Sequence, residues 1–282
     1  MMAQVDVWQL SSDPGALLER VNVSPEPGSL DAVSKVIPGG AYTTFRTFPG
    51  NRVIQFSAHI RRLEETARLA GKPIHLPAER VRAAVRAAAE RHPASEKRVR
   101  VTLDLERQPG SVYIAVEALH VPSPADYQLG VNVVTRQAHR NNPKAKLTSF
   151  LATASELRQT LPAGINEALM VDDDGQVLEG LTSNFFAIQN GEIWTAEEGV
   201  LSGLTRALVL EEAARAGVRV HFQPVQVGDL VQIQEAFLTS ASRAVLPVTQ
   251  IDGRPVQTGA PGPITLRLLE RYQARIDQET EA

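Results

Sequence analysis

Apolar positions along the chain change period several times, and each change marks an element. Residues 1–35, with prolines at 14, 25 and 27, read as short strands and loops. From Tyr42 to Phe48 the chain is β-branched and aromatic, Pro49-Gly50-Asn51 supplies a turn, and Arg52 to Phe56 resumes the pattern, which predicts a hairpin. The period then lengthens. Ile60, Leu63 and Ala67 share one helical face, with Ser57 placed to cap the start, Gly71 near the C-terminal cap and Pro73 as a stop. A second helix runs from near Pro77 through an Ala/Arg-rich stretch to about Arg91, and strands follow at Arg98 to Leu105 and Val112 to Leu119.

His120-Val121-Pro122-Ser123-Pro124-Ala125-Asp126 interrupts this pattern, and its two prolines predict an extended linker. Beyond it, Val131 to Thr135 reads as a strand and Thr148 to Leu161 as a helix. Hairpins are expected at Glu167 to Glu179 and at Phe185 to Thr195, the latter turning on Asn190-Gly191. A helix from Leu204 to Ala216, strand-like stretches at Val218 to Phe222 and Glu235 to Thr239, a turn at Ile251-Asp252-Gly253 and a closing helix from Pro263 to Ile276 complete the reading. In that last helix Ile264, Leu268, Leu269 and Tyr272 share a face. The class is mixed α/β (α+β) in two unequal domains: a smaller one over 1–121, a linker over 122–128 and a larger one over 129–282.

Composition narrows the function. Hydrophobic residues make up 43% and charged residues 22%, enough apolar surface to bury a core. Lys plus Arg total 29 against 32 Asp plus Glu, a net charge of −3, so there is no broad basic field for nucleic acid. No apolar run approaches the roughly 20 residues that span a bilayer. The chain has no cysteine, which excludes thiol catalysis and Cys-ligated metals and fits a reducing compartment. With no leader-like N-terminus either, a soluble, cytoplasmic protein is expected. The six histidines never fall at metal-ligand spacing, and Asp172-Asp173-Asp174-Gly175 reads as a polar hairpin turn, so no metal site is expected.

Three places carry chemistry when taken together. Gly203-Leu204-Thr205-Arg206 opens a helix whose uncapped amides can hold a phosphate. Arg62 follows His59 by three residues on one helix, so the two share a face. Lys146 lies between Ala145 and Leu147, where partial desolvation favours a nucleophilic amine. An amine, an Arg, a phosphate cradle and a carboxylate are what pyridoxal 5'-phosphate requires. Glu179, at the end of a hairpin strand, can supply the carboxylate.

Five stretches in this order resemble the class IV (fold type IV) PLP-dependent family of branched-chain aminotransferases, D-amino-acid aminotransferases and aminodeoxychorismate lyases. They are Ser57 to Leu63, Lys146 with Ser149, Glu179-Gly180 with Ser183 to Phe186, Leu201 to Arg206, and Glu235 to Ser240. The resemblance implies two domains with the cofactor in the cleft between them, and a homodimer. It implies Lys146 as the Schiff-base lysine and proton shuttle, Arg62 on the cofactor phosphate, and Glu179 at the pyridine nitrogen. Leu201 would pack on the ring face, Gly203 with the amides of Leu204 and Thr205 would take phosphate, and Tyr42 would lie near the substrate. Ala241 stands where relatives carry a phosphate-binding threonine, so Ser240 or Ser242 is expected to substitute. Thr43 replaces a glutamate common in the aminotransferases. Arg98 and Arg100 share a strand face, and Arg100 is read either as an anchor for the substrate carboxylate or as part of a surface arginine ladder.

The expected reaction moves an amino group between an amino acid, of branched-chain or D type, and a 2-oxo acid. The alternative on the same fold is elimination of pyruvate from 4-amino-4-deoxychorismate.

Overall fold

The computed structural model describes residues 5–11, 13, 16–24 and 27–281. Pro14 and Pro25 lie outside the described residues. The chain divides into two units. The first takes the described residues up to His120, Ala145–Ser155, and those from Glu279 onward; the second takes Val121–Lys144 and Glu156–Gln278. The lysine-bearing segment expected in the larger domain thus belongs with the first unit.

In chain order the first unit contains β1 (Val5–Leu10), β2 (Leu18–Arg20), the short helix α1 (Leu30–Val33), β3 (Gly40–Arg46) and β4 (Val53–Ile54). Helices α2 (Phe56–Leu69) and α3 (Ala78–Arg91) and strands β5 (Lys97–Asp104) and β6 (Val112–Ala118) follow. An antiparallel sheet runs β2-β1-β6-β5-β3. Ile60, Leu63 and Ala67 of α2 meet Phe45, Val99 and Val101 of the sheet in one apolar cluster. Leu63 is fully buried, which contributes about 1.5–3 kcal/mol.

The second unit opens with α4 (Pro124–Leu129) and β7 (Val131–Gln137). Next come α5 (Ser149–Gln159), which begins in the first unit, and β8 (Ile165–Val171), β9 (Gln176–Gly180), β10 (Asn184–Gln189) and β11 (Glu192–Trp194). After α6 (Leu204–Arg215) come β12 (Val220–His221), β13 (Val225–Gln226), β14 (Glu235–Ser240), β15 (Ala244–Ile251) and β16 (Arg254–Pro255). Helix α7 (Pro263–Glu279) leads to β17 (Thr280–Glu281). The strand order is β12-β11-β10-β14-β15-β7-β8-β9-β13, with β16 on β15. β9 also pairs with β10 through Glu179 and Asn184, so six strands close into a ring at these two residues.

Three expectations are corrected. The hairpin from Tyr42 to Phe56 does not form. β3 instead pairs along its whole length with β5, from Gly40↔Asp104 to Arg46↔Arg98, while β4 pairs with β17. A single bridge, Phe48↔Arg52, is left around the turn, too little to compete with that register. The extended linker gives way to a short helix from Pro124: Ser123 Oγ accepts from Asp126 N and Ser123 N donates back to Asp126 Oδ2, with Pro124 in the first turn, where its missing N–H goes unneeded. Finally, α2 is entered through Gln55 at φ 53°, and Ser57 is an exposed residue of the first turn rather than its cap.

Candidate functional site

Lys146 is positioned by its backbone. Tyr42 N donates to Lys146 O at 2.9 Å and Lys146 N donates to Thr66 Oγ1 at 3.3 Å, while Ala41 and Leu147 form a β-bridge. Gly40 and Thr148 exchange two bonds, Thr148 N to Gly40 O and Gly40 N to Thr148 Oγ1, each 2.9 Å. The segment is therefore an edge piece of the first unit's sheet, laid along β3. Gly40 is required here, because a Cβ would lie 2.0 Å from Leu103 O. The half-buried Lys146 extends its Nζ to 4.7 Å from the centre of the Tyr42 ring, a cation–π contact. Lys144, two residues earlier, instead donates to Glu197 O at 2.6 Å within the second unit.

Arg62 projects from α2. Its Nη2 donates to Thr43 Oγ1 at 2.7 Å and lies 3.4 Å from His59 Nδ1, and Thr43 Oγ1 is 2.6 Å from the same imidazole nitrogen. The Nε of Arg62 is buried and has no hydrogen-bond partner. Burial lowers the Arg62 pKa to about 10, opposed by Tyr42. Burial, with the nearby Arg62 and Lys146 cations, holds His59 well below the usual histidine range, so the imidazole is neutral.

Arg100 is not a surface residue. It is 2% exposed, and its donors go to Leu30 O and Ser34 Oγ at 2.7 Å each, Asp31 Oδ1 at 2.8 Å and Thr44 Oγ1 at 3.3 Å. It ties α1 to β3 and β5. The surface-ladder reading is corrected: α1, which closes over this strand face, left no hydrophobic period long enough to read.

The carboxylate lies in the second unit. Glu179 is 1% exposed and accepts from Arg140 Nε at 2.6 Å, Asn184 Nδ2 at 3.0 Å and Leu201 N at 3.2 Å. Asn184 Nδ2 also donates to Leu201 O at 2.8 Å, so one amide fixes both the carboxylate and the leucine backbone. Gly203 packs on the same asparagine; a Cβ there would meet Asn184 Oδ1 at 2.1 Å. Gly203 is the N-cap of α6, no side chain caps it, and the amides of Leu204 and Thr205 begin the helix. Arg206 turns away, to Ala196 O at 3.0 Å and Glu197 Oε2 at 2.6 Å.

Ser240 ends β14 at a turn. Its Oγ accepts from Arg243 Nε at 3.1 Å, and Arg243 reaches on to Glu167 Oε2 at 2.8 Å and Thr182 Oγ1 at 2.7 Å. Burial pushes the Glu167 carboxyl up, but Arg243 and the Thr182 hydroxyl outweigh it and hold the pKa below the usual range. Asp172 Oδ1 accepts from Asp174 N and Gln176 N, which accounts for the acidic run as a self-capped turn.

The lysine, Arg62 and Tyr42 thus fall together in the first unit, and Glu179, Leu201, Gly203, Leu204 and Thr205 belong to the second. Sequence reasoning missed Thr43, Thr66 and Arg140 as positioning groups. Arg140 left no signal, being 39 residues from its partner in an irregular stretch. Thr43 alternates with Tyr42 on β3 and could have been paired with the His59–Arg62 face.

The amino-transferase class IV family model matches residues 40–251. A branched-chain-amino-acid aminotransferase of Pseudomonas aeruginosa is 26% identical over 263 residues, 84% of this chain and 83% of the relative. A D-alanine aminotransferase of Bacillus licheniformis is 31% identical over 158 residues, 55% of this chain and 56% of the relative. Among solved structures, a Thermotoga maritima protein carried as a candidate branched-chain amino acid aminotransferase superposes with a TM-score of 0.79 at 25% identity, covering 96% of this chain and 95% of its own.

Proposed function

The chain belongs to the amino-transferase class IV family, whose members are pyridoxal phosphate enzymes, and from that premise we propose that it transfers an amino group from a branched-chain or D-amino acid to a 2-oxo acid. The observation that carries the reading is the placement of Lys146. Its backbone is stitched to Tyr42 and Thr66, and its amine lies against an aromatic ring on the unit that also carries Arg62. The residues suit the cofactor, since Arg62 keeps a buried Nε donor without a partner and α6 begins without a side-chain cap.

When bound, the cofactor supplies an aldehyde carbon for the amine and an electron sink for the substrate α-carbon. Lys146 Nζ would take the substrate α-proton and return it, acting as general base and then acid. Arg62 and the Leu204 and Thr205 amides would hold phosphate, and Glu179 would face the pyridine nitrogen. Arg140, Asn184 and the Leu201 amide hold that carboxylate in place. Leu201 would cover the ring and Tyr42 would border the substrate. Ser240 is offered as the neighbour of the phosphate in place of a threonine at 241. The homodimer implied by the family and the cytoplasmic setting belong to the same proposal. Among the described residues no helix is long and apolar enough to cross a membrane.

Nothing in the relatives named above supports the lyase alternative. A donor panel of L-leucine, L-valine and D-alanine with 2-oxoglutarate tests the reading. Oxo acid is expected from the branched-chain pair or from D-alanine, and no oxo acid from any donor would overturn it.

A further inference from the structure

On β3 and α2 three side chains form a directed chain. Arg62 Nη2 donates to Thr43 Oγ1 at 2.7 Å, and Thr43 Oγ1 lies 2.6 Å from His59 Nδ1. A hydroxyl that accepts from a guanidinium still has one proton to give. The arrangement that serves Arg62 Nη2, the Thr43 hydroxyl and Nδ1 together has the Thr43 O–H donating to an unprotonated Nδ1. His59 then carries its proton on Nε2. The opposite arrangement would point an Nδ1–H at Thr43 Oγ1, which already accepts from Arg62, and would leave that N–H 3.4 Å from a guanidinium nitrogen, donor against donor. The surroundings enforce the first arrangement: His59 is 3% exposed, packs on the Phe45 ring at 4.8 Å, and stays neutral between two cations.

We infer that His59 is a positioning residue: its Nδ1 lone pair, acting through the Thr43 hydroxyl, fixes the Arg62 guanidinium so that its unpartnered Nε donor is oriented toward the cofactor phosphate. A long arginine side chain loses rotamer freedom when it holds an anion. An arginine already pinned at Nη2 meets that loss before the ligand arrives, and affinity rises accordingly. Thr43 takes part because its hydroxyl both accepts and donates. A carboxylate at this position would accept from Arg62 but could not donate to a neutral imidazole. The inference rests on the phosphate role proposed above for Arg62.

The test compares cofactor-free protein binding pyridoxal 5'-phosphate and binding pyridoxal, which lacks the phosphate. The dissociation constant of pyridoxal divided by that of pyridoxal 5'-phosphate reads the phosphate contact alone and does not depend on turnover. Arg62→Gln should lower that ratio by roughly 10- to 150-fold. Thr43→Val, which keeps the shape, and His59→Leu should each lower it by about 10-fold. Thr43→Ser and His59→Asn, which retain the hydroxyl and an acceptor near the Nδ1 position, should restore it to within about threefold. Combining Thr43→Val with His59→Leu should cost no more than either alone, since both break one chain. If Thr43→Val and His59→Leu keep the wild-type ratio while Arg62→Gln loses it, the relay is overturned and the phosphate role stands. If Arg62→Gln itself keeps the ratio, both fall. Should His59→Leu fail to fold, the Thr43→Val and Thr43→Ser pair decides alone, because neither changes the packing volume by more than a methyl group.

Discussion

Arg140 Nε donates to Glu179 Oε1 across 2.6 Å, with the two side chains 4% and 2% exposed. A pair this deeply buried is strongly coupled to folding. Removing one partner's charge breaks a buried ion pair, at about 3–5 kcal/mol. Glu179→Gln should therefore lower the melting temperature of the cofactor-free protein, and Arg140→Met should lower it as well. Beyond stability, Glu179→Gln should slow the half-reaction by at least about 100-fold, the lower end of what a charge aimed at a developing transition state supplies. Single-turnover rates at saturating cofactor separate the two effects. A half-reaction within a few-fold of wild type would remove Glu179 from the ring nitrogen and leave it a structural ion pair.

Lys146→Ala should abolish turnover while the protein still folds, since the segment is held by backbone bonds that alanine keeps. The variant should retain the cofactor without a covalent bond. Borohydride reduction followed by mass measurement reads this directly. A labelled Lys144 would contradict the assignment, and its engagement with Glu197 O argues against that outcome.

Gly203→Ala tests the packing beneath the start of α6. The new methyl would displace Asn184, whose amide holds both Glu179 and Leu201 O. Overpacking of this kind costs about 1–3 kcal/mol. Thermal unfolding should show the loss, and cofactor affinity should fall with it. Full stability in Gly203→Ala would mean that Asn184 swings aside freely.

His59 gives a pH signature. Its folded pKa is depressed by burial and by the Arg62 and Lys146 cations, so the unfolded chain takes up a proton that the folded chain refuses. Stability is then full above the unfolded value near 6.5 and is lost as pH falls through that value toward the folded one. The slope from this single group reaches at most about 1.4 kcal/mol per pH unit. Denaturant unfolding of cofactor-free protein at pH 7.5 and 5.5 should show the decline, and His59→Asn should flatten it. The Glu167 carboxyl, held low by Arg243, acts at lower pH: its contribution persists above the usual carboxylate value of about 4.3 and fades below it.

The helices and several strands were legible because their periods are long or their turns strongly marked. α3 and α6 lie within a residue or two of expectation, and the Asn190-Gly191 turn has φ values of 52° and 76°. β15 escaped notice because Pro247 sits inside it opposite Phe237, where a proline argues against a strand. The hairpin around Pro49 was misread because local turn chemistry cannot reveal that β5 offers a longer register. At the site, residues within one short stretch, such as His59 with Arg62, were visible as neighbours. Arg140 with Glu179, and Arg100 with α1, depend on pairings that the closed ring and the sheet create, so no local pattern encodes them.

The unit that carries Lys146 is assembled from distant parts of the chain. Gly40 bonds Thr148 from 108 residues away, and Phe56 N bonds Glu281 from 225 residues away. On a ribosome adding about 5–20 residues per second, Phe56 waits roughly 10–45 s for that last partner. Most of its sheet and helices emerge well before that, but the segment that carries the amine cannot dock on β3 until residues past 148 are out. Nascent protein therefore passes through a long interval with Arg62, Thr43 and His59 made and the amine not yet placed. Loading with cofactor becomes a late event in the life of each molecule, and a product truncated before residue 148 presents no docked amine.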